Sequence, residues 1–153
     1  MSDENDDRLA RIIARKQAEN AQRQKNEAVL LNQREQERQA VETVIQTWYN
    51  HLPMIEQVIN KINAKLLPIG LHLNFETKEG DKQPVVVVGE ITANADEDHR
   101  KRSLTLNVHR NGEVRWFIQT PKYTTTTPKS FNIADADSGQ YEAVIVEFVD
   151  QAT

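Results

Sequence analysis

The chain has no cysteine, and that single absence removes several chemistries at once. Disulfide frameworks, thiolate catalysis and Cys-ligated zinc or iron–sulfur sites are excluded. Glycine and proline are scarce, five of each, and neither occurs between Asp7 and Asn50. No run comes near the ~20 apolar residues of a membrane span. The opening MSDENDDRLARII carries acids where a signal peptide needs bases, and it has no apolar stretch of adequate length. A soluble, cytoplasmic protein is the expectation. The patterns GxxxxGK[ST], GxGxxG and GxSxG are missing too, so phosphate-loop, dinucleotide and hydrolase readings find no support. The sequence points to a protein that is not an enzyme and takes no cofactor.

What is present is unevenly spread. Apolar residues make up 38% of the 153 positions. Residues 1–40, however, hold only Leu9, Ile12, Ile13, Val29, Leu30 and Leu31 as large apolar residues. Such a segment cannot form a core alone. Residues 41–153 can, since a domain of about 110 residues buries roughly 60–70% of its unfolded surface. The net charge of −4 divides in the same way. Eight basic and eight acidic residues cancel in 1–40, and eleven basic face fifteen acidic in 41–153. A mildly acidic domain argues against phosphate-backbone binding, which needs clustered Lys and Arg.

Residues 1–40 read as a polar helical arm, rich in helix formers and preceded by Asp3, Glu4, Asp6 and Asp7, which suit the positive end of a helix dipole. A helix from Asp7 to Asn50 would be about 65 Å long. A small-residue seam, Ala10, Ala14, Gln17, Ala21, Gln24, Ala28 and Leu31, runs along it at four–three spacing. The arm is either a solvated, partly frayed helix or a thin coiled coil with Ala at its interface.

The stretch VETVIQTWYNHLPMIEQVINKINAKLL carries a stronger seam: Val41, Ile45, Trp48, Leu52, Ile55, Ile59, Ile62 and Leu66. Leaving it in water would forgo on the order of 10–20 kcal/mol. Pro53 lies within it, and a proline inside a helix costs roughly 3 kcal/mol. A break or kink near Pro53 is therefore expected in helix 41–67. Met54–Leu67 would then cover this chain's own sheet, while Val41, Ile45, Trp48 and Leu52 form an oligomerisation seam for another chain. Trp48 brings an indole N–H that needs a polar partner if buried.

GLHLNFETKEGDKQPVVVVGEITAN reads as a first hairpin, with Gly89 marking a bulge. SLTLNVHRNGEVRWFIQT reads as a second, turning on Asn111-Gly112 as a two-residue type I′ turn. That turn pairs Val108 with Arg115 and Leu106 with Phe117. It places Leu104, Leu106, Val108 and Phe117 on the core face. Val114, Trp116 and Ile118 then form an apolar second face, covered by a helix of this chain or by a partner. SFNI looks like a short final strand. Tyr141, Val144, Ile145, Phe148, Val149 and Ala152 recur at helical spacing, with Asp137 and Gln140 as a capping box, although Val144–Phe148 also alternates like a strand.

The fold class follows: α+β, with a long N-terminal helix, a four-stranded, mainly antiparallel sheet of two hairpins, and a C-terminal helix. The helix–sheet–helix order, size and acidity are similar to those of small secretion chaperones, a resemblance that implies dimerisation and the holding of extended client segments. ADADSG fails as a calcium loop because Gly139 comes too early and Val146 stands where Glu is required. His51, His72, His99 and His109 lack metal-ligand spacing. In DEDHRKR, Arg100, Lys101 and Arg102 suit phosphate, but Asp96, Glu97 and Asp98 cancel their field. The functional expectation is a non-catalytic, self-associating interaction protein: scaffold, adaptor or chaperone-like. Nucleic-acid association through the Arg-rich arm and residues 99–102 is the alternative.

Overall fold

The computed structural model describes residues 2–95 and 100–153. Its elements are helix α1 (Ser2–Leu66), strands β1 (Leu71–Glu79), β2 (Val85–Ala95), β3 (Ser103–His109), β4 (Glu113–Gln119) and β5 (Lys129–Asn132), and helix α2 (Ser138–Ala152). Short 3-10 turns at Leu67–Ile69 and Ile133–Asp135 link α1 to β1 and β5 to α2. The chain forms two compact units, Met1–Gln39 and Ala40–Thr153. The described residues of the first, 2–39, all belong to α1.

In the second unit the strands form one antiparallel meander in the order β1-β2-β3-β4-β5. The sheet has five strands where two hairpins would supply four; the fifth is the short segment around SFNI. Register places the apolar residues in rows across one face. Phe75, Ile91, Leu104 and Ile118 make one row, and Val87, Val108, Val114 and Phe131 another. Residues 41–66 of α1 and the whole of α2 cover that face in a single core containing Trp48, Ile55, Ile59, Ile62, Tyr141, Ile145 and Phe148. Asp137 caps α2 by accepting from the Gln140 N–H at 2.9 Å.

Three sequence-based expectations need correction. Of the break or kink expected near Pro53, the break is absent: α1 runs through it as one element. Pro53 is exposed, so the carbonyl deprived of its donor can turn to water. The cost of about 3 kcal/mol is small beside the burial of Trp48, Ile55, Val58, Ile59 and Ile62 at ~1.5–3 kcal/mol each.

The second correction concerns the β3–β4 turn. A type I′ turn needs positive φ at both Asn111 and Gly112, but only Gly112 has it, at 89°. Asn111 instead accepts the Glu113 N–H through Oδ1 at 3.0 Å, and the Gly112 N–H bonds to the His109 carbonyl at 2.9 Å. The loop is thus one residue longer, and Val108 pairs with Val114. A one-residue slip moves every side chain of a strand to the opposite face. Leu104, Leu106, Val108, Val114, Trp116 and Ile118 consequently share one face, and Phe117 leaves it. Exchanging Phe117 for Val114, Trp116 and Ile118, a net gain of two large side chains at ~1.5–3 kcal/mol each, outweighs the preference of a dipeptide for a particular turn.

Third, Gly89 marks no bulge. The irregularity lies between Val85 and Val87, while Gly89 pairs regularly with Thr77 and Leu106.

Candidate interaction surfaces

Of the expected oligomerisation seam, Trp48 is fully buried in the domain's own core, and Val41, Ile45 and Leu52 are partly buried against it. The reason is visible at Gly89. A Cβ there would lie 2.7 Å from the Trp48 ring, so the missing side chain is what lets the indole lie against β2. The ring edge meets Phe75 at a centroid distance of 6.3 Å. Its N–H donates to Thr77 Oγ1 at 2.9 Å, and that hydroxyl donates to the Val88 carbonyl at 3.2 Å. The polar partner that a buried indole requires is therefore built into β1. Trp48 thus packs inside this chain's own domain, with Val41, Ile45 and Leu52 partly buried beside it.

Between Val41, Ile45 and Tyr49 on α1 and the β1–β2 loop lies an open groove of about 390 Å³, floored by Val85, Val86 and Val87 and edged by Glu79 and Gln83. The expected partner-binding face is also accounted for within the domain. Val114 and Ile118 are fully buried and Trp116 nearly so, with Lys129 Nζ 5.5 Å from the Trp116 ring centroid and 2.9 Å from Glu147. Of the two explanations for that trio, cover by a helix of this chain is the one the core displays.

Arg100 and Arg102 line a cavity of about 80 Å³ with Thr120, Lys122 and the end of α2. Arg102 Nε donates to the Ala152 carbonyl at 3.1 Å, a charged cap on the C-terminal end of α2. Lys101 is exposed and does not line that cavity. Asp96, Glu97, Asp98 and His99, the rest of the charged loop, lie outside the described residues.

His51 and Tyr141 join the two helices: His51 Nδ1 and the Tyr141 hydroxyl are 2.8 Å apart, with the rings edge to face. Burial lowers the His51 pKa and raises that of Tyr141. Beside them Lys61 and Glu142 form an ion pair at 2.9 Å. At the sheet edge, Asn63 receives the Leu73 N–H at 2.8 Å and donates to the Leu73 carbonyl at 3.0 Å, occupying backbone groups that an edge strand leaves open. These contacts fasten α1, α2 and the sheet together. Among the described residues, no group of three or more His, Asp or Glu is placed to hold a metal ion, and no helix is long and apolar enough to cross a membrane.

The first unit differs in kind. Every described side chain from residue 3 to residue 40 is exposed, including Leu9, Ile12, Ile13, Val29, Leu30 and Leu31. Local pairs, Lys16–Glu19 at 3.4 Å and Arg38 Nε–Glu35 at 3.1 Å, decorate it without covering those side chains. Of the six large apolar residues, the small-residue seam from Ala10 to Leu31 contains only Leu31. The overlooked signal is that Leu9, Ile12 and Leu30 fall in one heptad frame. No family model, curated protein or solved structure matches this chain.

Proposed function

We propose that the protein is a non-catalytic interaction module that self-associates through its N-terminal helix. It acts as a scaffold or adaptor, with residues 40–153 as a folded α+β domain. The observation that carries this reading is the complete exposure of residues 3–40, with six large apolar side chains among them. A polar helix gains little from burial when alone, and helices of this kind draw their stability from packing. The association element thus moves from Val41, Ile45, Trp48 and Leu52 to Leu9, Ile12 and Leu30. A cytoplasmic setting fits a chain that needs no disulfide to fold. The nucleic-acid alternative is weaker, because Arg102 is already engaged with the end of α2 and the arm's bases are interleaved with acids.

Light scattering of the full chain at micromolar concentration tests the proposal. A dimer or higher species is expected for the native sequence, and a monomer for Ile12→Glu/Leu30→Glu. A native protein that is monomeric throughout would overturn the reading.

A further inference from the structure

We infer that the partner of the arm is a second copy of this chain, lying antiparallel about a two-fold axis at Ala21; this rests on the self-association proposed above. A two-fold interface uses one surface patch twice, so a sequence that serves it should look complementary to itself when read in reverse. The arm does. Its exposed large apolar residues stand in two groups, Leu9–Ile13 and Val29–Leu31, at nearly equal distances on either side of Ala21.

The heptad frame of Leu9, Ile12 and Leu30 also contains Asn5, Lys16, Glu19, Arg23, Asn26, Gln33 and Glu37 at its inward positions. Parallel, in-register helices would set each of these charged residues against itself, with like charge meeting like at Lys16, Glu19, Arg23 and Glu37. Reversing one helix about Ala21 removes all four conflicts. Leu9 then meets Gln33 of the second copy, Ile12 meets its Leu30, Lys16 meets its Asn26, and Glu19 meets its Arg23, each contact made twice. On the flank, Asp6 comes beside Arg34 of the second copy. The local Lys16–Glu19 pair is exposed and offers little resistance to this exchange. Polar residues at inward positions specify register at a cost in stability, and complementary charges disfavour the wrong arrangement.

The absence of cysteine allows single spin labels to be placed on the full-length protein without background. Asn5→Cys and Gln22→Cys are labelled separately, and distances between copies are read by double electron–electron resonance. The antiparallel pair places the Asn5 labels about 48 Å apart, from a rise of ~1.5 Å per residue. It brings the Gln22 labels within about 20 Å, since packed helix axes lie 8–10 Å apart. Short distances at both positions would overturn the antiparallel arrangement while leaving self-association standing; no dipolar signal together with a monomeric mass would overturn both. Charge reversal gives a second readout. Glu19→Arg should weaken the dimer about tenfold or more by facing Arg23, and adding Arg23→Glu should restore it. A dimer indifferent to Glu19→Arg would also refute the arrangement.

Discussion

Residues 2–39 and 40–66 belong to one continuous α-helix, yet different forces hold the two parts. The C-terminal part buries Trp48, Ile55, Val58, Ile59, Ile62 and Leu66 against a sheet and fixes itself further with Trp48–Thr77 and Asn63–Leu73 hydrogen bonds. The described side chains of the N-terminal part are all exposed, and exposed i,i+3 and i,i+4 pairs, each worth ~0.2–0.5 kcal/mol, add to its intrinsic propensity. Propensity can shape a helix, but only burial makes it part of a cooperative fold. The contrast also explains why Pro53 is tolerated where it is: the surrounding stretch has burial to spare.

The strongest way to break the contrast is to strip the C-terminal part of its anchor. Trp48→Ala should destabilise the domain by about 3–5 kcal/mol, measured by urea denaturation, since it empties a fully buried site and leaves Thr77 without its donor. Gly89→Ala attacks the same contact from the sheet. Its Cβ would press on the Trp48 ring, at a cost of about 1–3 kcal/mol, and Trp48→Leu in the same chain should recover part of the loss.

Smaller effects sharpen the comparison. Asp137→Ala removes the α2 cap and should cost about 1 kcal/mol in the same assay. Burial lowers the His51 pKa, so the unfolded chain binds a proton more readily than the folded one. The stability contributed by neutral His51 is therefore complete above its unfolded pKa of about 6.5 and is lost as pH falls below it. Stability measured from pH 8 down to pH 5 should decline, and His51→Gln should flatten that slope. Ile12→Glu, in the arm, should leave the denaturation of residues 40–153 within about 0.5 kcal/mol of native while weakening association.

Much of this fold is legible in the sequence, and the exceptions share a cause. The polar arm, the α2 helix with its Asp137 cap, the first hairpin and the strands of the second follow from local periodicity and capping chemistry. An unbroken helix at Pro53, a regular ladder at Gly89 and a longer loop at Asn111-Gly112 all depart from the usual local meaning of a punctuating residue. In each case a distant partner decided otherwise: the sheet beneath α1, the Trp48 ring, and the core awaiting Val114, Trp116 and Ile118. The candidate site was harder to read, because an exposed Leu in a helix is ordinary until all the described side chains around it are seen to be exposed as well.

The sequence by itself determined the long N-terminal helix and the strands of two hairpins, that the first forty residues cannot form a core, and that the seam from Val41 to Leu66 must be buried. Those properties are local sums of propensity and apolar content. Only the tertiary structure decided what buries that seam and which face of β4 turns inward. A strand shifted by one residue keeps its local conformation while exchanging its two faces, so the choice falls to the core as a whole.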